Sequence, residues 1–315
     1  MTLLISHPSF LEHDTGDYHP ERPDRLRAVT AALADEEFAD LTRLVAPAAT
    51  IEQLTRVHPP AYVDAILGIR PPEGELVHVD ADTVMSAGSA NAARHAAGAV
   101  VAAVDGVLGG RARTAFAAVR PPGHHATPDV PGGFCLFSNA AIGALHARAA
   151  HGLRRIALID FDVHHGQGTQ AVVETDPDLF YASSHQYPLY PGTGSPRERG
   201  IDGNVVNAAL PAGSGSAAFR AAWGDRLLPA LDTFAPELII VSAGFDAHRR
   251  DPLAQLDVET EDFAWLTDEL LAIAGRHGRG RLVSVLEGGY DLGALAESVA
   301  AHVRALMRTE DDLRL

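Results

Sequence analysis

Short apolar, β-branched runs recur along the chain, separated by longer stretches in which apolar residues return with helical period. The short runs predict strands over Leu3–Ser6, Thr114–Val119, Arg155–Val163, Leu179–Ser183, Leu238–Ser242 and Leu282–Leu286. The longer stretches predict helices over Asp24–Ala34, Pro60–Ile69, Ser89–Leu108, Asn139–Ala150, Ser216–Leu231, Glu261–Gly275 and Leu292–Met307. Strands alternating with helices imply βαβ units around a parallel sheet. Ile156-Ala-Leu-Ile159 is apolar at every position, as expected of a strand covered on both faces. No repeat of fixed period and no low-complexity linker interrupts the pattern.

The polar, glycine-rich motifs fall just after predicted strands. Arg120-Pro-Pro-Gly-His-His125 follows one, Asp162-Val-His-His-Gly166 closes another, and Ala243-Gly-Phe-Asp-Ala-His248 and Glu287-Gly-Gly-Tyr290 follow two more. Open α/β sheets bind ligands at the carboxyl ends of their strands, so these segments deliver reactive side chains to one sheet edge.

In Ile159-Asp-Phe-Asp-Val-His164, strand alternation points Asp160, Asp162 and His164 to one face and Phe161 and Val163 into packing. Two carboxylates and an imidazole on one face call for a cation between them. The plainer alternative is an Asp-rich strand end capping the next helix, but unpaired buried charge is costly. A third ligand must come from another strand end; Asp246 is the best candidate and His248 a rival. Two carboxylates, one imidazole and an open position suit catalytic Zn2+ or Fe2+. Such a site acidifies water less than an all-histidine one, so a general base is needed nearby. His124 and His125 are candidates for base and acid. Tyr290, after two permissive glycines, is a candidate donor to a developing oxyanion, although an isolated Gly-Gly-Tyr is usually a turn with a packed ring.

The 315 residues suffice for a large core and do not require two domains. With 46% hydrophobic and 21% charged residues the composition is that of a soluble globular protein. No apolar run is long enough to span a bilayer, and the N-terminus lacks the basic region and cleavage site of a signal peptide, so no membrane partner is expected. Cys135 is the sole cysteine, which excludes an intramolecular disulfide and points to a reducing, cytoplasmic compartment. The net charge of −16 argues against nucleic acid as a partner and mildly favours cationic substrates, while solubility alone would also account for it. Nothing in the sequence marks an oligomeric state.

Taken together, the motifs resemble those of the histone deacetylase superfamily, especially its class II-like bacterial members. The resemblance runs from His19-Pro-Glu-Arg-Pro23 to Glu287-Gly-Gly-Tyr290 and includes Tyr190-Pro-Gly-Thr-Gly194, all in the family's order. It implies a single deacetylase domain over 1–315 with a three-layer arginase/deacetylase-like α/β fold: a central parallel sheet of about eight strands with helices on both faces. It implies a metal-dependent amidohydrolase with Asp162, His164 and Asp246 on Zn2+, and His124 and His125 handling protons. Asp160 orients the first of these, and Tyr290 is the catalytic tyrosine. A structural K+ or Na+ is implied at Asp160, Asp162, His164, Ser183 and Ser184. Gly133, Phe134 and Tyr190 match the walls of an acyl-lysine tunnel. Asp82 falls near the rim aspartate that holds the substrate backbone, with Asp80 as competitor.

Gln167 stands where class I members carry Asp and class II members usually Asn. A neutral partner should make His125 less basic, which assigns it the weaker or more acid-like role. Leu253 occupies the gate where polyamine-selective relatives carry a glutamate. The expected substrate is therefore an acylated lysine in a peptide or protein, with an acylated small amine such as an acetylpolyamine as the alternative. A binuclear manganese ureohydrolase would need further carboxylate ligands on the Asp160 strand. A silent acyl-lysine binding protein would normally have lost a ligand, a histidine or the tyrosine, and all are present here.

Overall fold

The computed structural model describes residues 1–308. Its strands are β1 (Thr2–Ser6), β2 (Thr42–Val45), β3 (Val77–His78), β4 (Val84–Met85), β5 (Thr114–Ala117), β6 (Ile156–Asp160), β7 (Leu179–Gln186), β8 (Val205–Leu210), β9 (Leu238–Ala243) and β10 (Leu282–Leu286). Eight of these form one sheet in the order β2-β1-β5-β10-β9-β6-β7-β8, parallel at every pairing. β3 and β4 make a small antiparallel hairpin beside it. The helices are α1 (Pro23–Ala32), α2 (Ile51–Leu54), α3 (Pro60–Gly68), α4 (Ser89–Leu108), α5 (Asn139–His151), α6 (Gln167–Val173), α7 (Ser216–Ala222), α8 (Leu228–Phe234), α9 (Thr260–His277) and α10 (Leu292–Leu306). α4 and α5 pack together on one face of the sheet; α1, α10, α9 and α8 line the other. This is the three-layer α/β architecture that the resemblance implied.

The four strands that carry the motifs, β5, β10, β9 and β6, are adjacent at the centre of the sheet. Every residue of each is buried, so they are apolar almost throughout and were readable from sequence. The two sheet strands not predicted, β2 and β8, are the edges. β2 is half exposed, and β8 is interrupted by Asn207, whose side chain donates to Gln170 Oε1 at 2.8 Å.

Two elements differ from expectation. The predicted strand to Val163 ends at Asp160, so its two-residue alternation does not extend to Asp162 and His164. Carboxylates capture the backbone that would have continued it. Asp160 Oδ1 accepts from Asp162 N–H, Asp246 Oδ1 from Val163 N–H and Asp162 Oδ1 from His164 N–H, at 3.1, 2.9 and 2.9 Å. Phe161 and Val163 remain fully buried, each contributing roughly 1.5–3 kcal/mol, and pin the loop between its polar residues. The predicted helix Ser216–Leu231 is broken by a π turn over Trp223–Leu227, just before Pro229, whose ring and missing N–H disfavour an uninterrupted α-helix.

Candidate active site

The loop after β6 and the loop after β9 meet at Asp162, His164 and Asp246. His164 Nδ1 lies 3.1 Å from both Asp162 Oδ1 and Asp246 Oδ2, and the three ligand atoms lie within 4.8 Å of one another. All are buried or nearly so. Burial disfavours a charged His164, yet the two carboxylates outweigh it and raise the imidazole to about 10. The pocket thus demands positive charge where the carboxylates converge. Two glycines leave room for it: a Cβ on Gly244 would stand 2.0 Å from Asp162 Oδ2, and one on Gly288 would stand 2.2 Å from Asp246 Oδ2. Two oxygen donors and one imidazole nitrogen, drawn together with no side chain between them, fit a divalent ion such as Zn2+. The rival His248 is outside this group, its Nδ1 accepting from Arg250 N–H at 3.1 Å.

Asp160 belongs to the neighbouring histidine. His124 Nδ1 donates to Asp160 Oδ2 at 3.0 Å, while His124 Nε2 lies 3.8 Å from Asp162 Oδ2. Burial opposes a charge on His124, but Asp162 and Asp160 prevail and hold it well above the ordinary histidine range. His125 is its opposite. Its Nδ1 is 2.7 Å from Gln167 Oε1, an oxygen that can only accept, so Nδ1 carries the proton and Nε2 a lone pair. Burial and the neighbouring His124 and His164 hold it well below the usual range. The two rings are 3.9 Å apart, and His125 is 5.8 Å from the His164 ring.

Glu287, at the end of β10, supports this loop from beneath. Its Oε2 accepts from the N–H groups of Gly123 and His124 at 2.6 and 3.2 Å, and its Oε1 accepts from Ser242 Oγ at 3.0 Å. The chain then turns through Gly289, at φ 122°, to Tyr290. Tyr290 N–H donates to Asp251 Oδ2 at 2.7 Å, and the Arg25 guanidinium lies 4.8 Å over its ring. Burial raises the Tyr290 hydroxyl well above its ordinary range, with Arg25 opposing and Asp246 reinforcing, so it remains a proton donor. Asp251 Oδ1 also accepts from Leu253 N–H at 2.9 Å, tying the half-buried Leu253 to the segment that carries the tyrosine.

The mouth is aromatic. The Phe134 ring is 5.9 Å from that of Tyr290, and the Tyr190 ring is 5.0 Å from His125. Gly133 and Phe134 both have positive φ, at 54° and 69°. Thr83 Oγ1 accepts from Phe134 N–H at 3.0 Å, which brings the segment carrying Asp80 and Asp82 to the same rim. Asp80 Oδ1 accepts from Asp82 N–H at 2.7 Å, so the two rim candidates form one turn. Ser183 is the register partner of Asp160 on the adjoining strand. Its Oγ is 2.9 Å from His185 Nδ1, while Ser184 Oγ accepts from Trp223 Nε1 at 3.0 Å.

Sequence reasoning missed Tyr181, Arg25 and Asp251. Tyr181 Oη donates to Asp160 Oδ2 at 3.0 Å and accepts from Gly166 N–H at 3.1 Å. Arg25 is fully buried and donates to the carbonyl oxygens of Gly289 and Glu287 at 2.6 and 2.5 Å. None of the three lies at a reactive position, and each reaches the site through backbone or another side chain; only an alternation count on β7 could have flagged Tyr181.

The histone deacetylase domain family matches residues 19–306. The histone deacetylase-like amidohydrolase of Pseudomonas aeruginosa is 39% identical over 280 residues, covering 86% of this chain and 72% of its own length. The polyamine deacetylase HDAC10 of Homo sapiens is 41% identical over 327 residues, covering 97% of this chain, which spans only 48% of the human protein. Among solved structures, the HD domain of HDA15 superposes with a TM-score of 0.89 at 36% identity, covering 97% of this chain and 88% of that one.

Proposed function

The chain belongs to the histone deacetylase family, and on that premise we propose that residues 1–315 act as a single-domain, zinc-dependent deacetylase that hydrolyses the side-chain amide of acyl-lysine, acetyl-lysine first, in peptides or proteins. One observation carries the reading: Asp162, His164 and Asp246 converge beside His124, His125 and Tyr290 at the ends of four adjacent central strands. Asp162, His164 and Asp246 would hold the divalent ion, which when bound polarises the acyl carbonyl and acidifies water.

The protein's own groups do the rest. His125, with Nδ1–H on Gln167 and a lone pair on Nε2, accepts a proton from water and passes it to the departing amine. Gln167 alone suggested the more acid-like role; burial and the neighbouring His124 and His164 instead keep the ring uncharged, the form able to accept. His124, fixed by Asp160, contributes positive charge beside it. Tyr290 donates its hydroxyl to the developing oxyanion. Phe134 and Tyr190 enclose the alkyl stem, with Gly133 between the walls, and the turn of Asp80 and Asp82 meets the substrate backbone. K+ or Na+ at Asp160, Asp162, His164, Ser183 and Ser184 would reinforce the loop from behind. Among the described residues no helix is long and apolar enough to cross a membrane, and a cytoplasmic setting completes the proposal.

The second reading, an acetylpolyamine amidohydrolase, is favoured by the similarity to a polyamine deacetylase, while Leu253 at the gate supplies no charge for a cationic amine. The test is turnover of acetyl-lysine peptides against acetylspermidine by enzyme reconstituted with Zn2+ or Fe2+. All 25 basic residues of the chain are arginines, so the enzyme adds no lysine signal of its own. Peptide turnover should dominate and fall roughly 100- to 1,000-fold in Tyr290→Phe. Preferred turnover of acetylspermidine would transfer the assignment to the second reading, and no hydrolysis of either would point to a binding protein.

A further inference from the structure

A second cluster of metal-ligating side chains lies on the helical layer, away from the sheet edge that bears the catalytic groups. Asp105, in the last turn of α4, and His146 and His151, near the end of α5, face one another where the two helices pack. His146 Nε2 and His151 Nε2 each stand 2.7 Å from the same oxygen, Asp105 Oδ1. The two rings are 5.9 Å apart and inclined at 75°, so their nitrogens converge instead of stacking. Among the described residues, this group and the catalytic one are the groups whose ligand atoms all lie within 4.8 Å of one another. His146 is buried, whereas the side chains of His151 and Asp105 are 25% and 45% exposed, which leaves room for water ligands. Asp105 also borders an open groove of about 400 Å3.

The geometry points to a peripheral site for a divalent transition-metal ion of the Zn2+ class, held by Asp105 Oδ1, His146 Nε2 and His151 Nε2 and completed by water. Imidazole nitrogen and carboxylate oxygen are the donors such ions prefer, and three protein ligands suffice when water supplies the remainder. The hydrogen-bonded arrangement is the proton-filled form of the same site: protons now shared between the imidazoles and Asp105 would be displaced by the ion. The ion would clamp α4 to α5 at their C-terminal ends. At their other ends Ser89 Oγ is 2.7 Å from His13 Nδ1, and Asn139 Nδ2 donates to Pro121 O at 3.2 Å beside the histidine loop. The clamp would therefore fix the helices whose opposite ends support the catalytic face.

Arg56 opposes occupancy. Its Nη1 is 2.6 Å from His146 Nδ1 and its Nη2 donates to Glu52 Oε1 at 3.1 Å. A guanidinium only donates, so it holds the proton of His146 on Nε2, the atom the ion requires. Binding at Nε2 moves that proton and turns Arg56 away, and its Glu52 contact already offers a retreat.

The test is metal stoichiometry by elemental analysis and calorimetric titration with Zn2+ on the full chain already carrying its catalytic ion. The expected result is one further equivalent per chain, lost in His151→Ala and in Asp105→Asn with acetyl-lysine hydrolysis unchanged. Arg56→Gln should bind it about tenfold more tightly, having lost one charged hydrogen bond that competes with the ion. Thermal unfolding of each variant verifies that it is folded, and Ni2+ in place of Zn2+ should give the same pattern. The inference is overturned if the wild-type chain takes up no second equivalent, or if the second equivalent persists in the Asp105→Asn, His151→Ala double variant. A second equivalent abolished by Asp246→Asn instead would mark a binuclear catalytic centre, overturning this site and the proposed mononuclear function together.

Discussion

Gly133→Ala isolates what the shape of the mouth does for the chemistry. A Cβ at Gly133 would stand 2.3 Å from His125 Cδ2, 2.7 Å from its Cγ and 2.9 Å from Tyr190 Cε1. Ordinary carbon contacts begin near 3.4 Å, so ring and loop must separate by about 1.1 Å. His125 has little room to retreat, because Gln167 holds its Nδ1 at 2.7 Å and the His124 ring lies 3.9 Å behind it. A displacement of that size at a proton-transferring group costs about 100-fold in rate. The left-handed backbone at Gly133, φ 54°, adds about 1–2 kcal/mol of strain for any residue with a Cβ, a few degrees in Tm. The assay is kcat and KM on an acetyl-lysine peptide, with metal content and Tm measured on the same preparation. The expected variant is folded and metal-loaded, with most of its loss in kcat. Gly132→Ala is the control, since its Cβ would crowd the carboxylate end of Asp80, at 2.9 Å, which can rotate away, and would stand at ordinary contact distance, 3.4 Å, from the Tyr190 hydroxyl. If Gly133→Ala keeps kcat within about threefold of wild type, the position of His125 is not what limits the reaction and the geometric argument fails.

Other expectations follow from the same contacts. Glu287→Ala strands the buried N–H groups of Gly123 and His124, costing about 2–6 kcal/mol at roughly 1–3 kcal/mol each; chemical denaturation should show it, with Glu287→Gln milder. Gln167→Asp places a charge behind His125 and should move a limb of the pH–rate profile upward, whereas an unchanged profile would count against the assigned role. Acid stability should depend on His58 and His302, which burial depresses from 6.5 to about 4 and about 3. Both are neutral in the fold, so the unfolded chain binds more protons below pH 6.5, and their stabilisation is complete above that value and lost as pH falls toward 4 and 3. At pH 5 each has forfeited about 2 kcal/mol; His302→Gln should flatten the acid limb of a Tm–pH curve, and an unaltered slope would refute the assignment.

What could be read from sequence was whatever burial writes into composition. The four central strands are buried on both faces and announce themselves as apolar runs, and their ends place the reactive motifs at one edge. The edge strands β2 and β8 are partly exposed and leave a mixed pattern. The residue pattern marked Asp160, Asp162 and His164 as one group, and only the family resemblance divided them into two. Their separation arises when carboxylates seize backbone N–H groups and end the strand, a competition with no counterpart in periodicity. Long-range partners were harder still. Arg25, in an otherwise ordinary helix, is 262 residues from the Glu287 carbonyl it binds, and nothing local distinguishes it from the exposed Arg27.

The charge gathered at this edge explains why so much of the supporting structure is polar. Asp160, Asp162, Asp246, Asp251 and Glu287 are all buried there. Unpaired carboxylates in such surroundings would each cost several kcal/mol, yet hydrophobic replacements would remove the chemistry. The fold compensates in three ways. Backbone N–H groups are directed at Asp160, Asp162, Asp246, Asp251 and Glu287. Imidazoles face Asp160, Asp162 and Asp246. Two buried arginines, Arg25 and Arg120, share the single carboxylate of Glu21, so one positive charge is left uncancelled behind Tyr290. A divalent ion at Asp162, His164 and Asp246 would offset what remains. The same accounting explains Gln167: a carboxylate there would add to a cluster already dominated by negative charge, whereas an amide orients His125 without enlarging it.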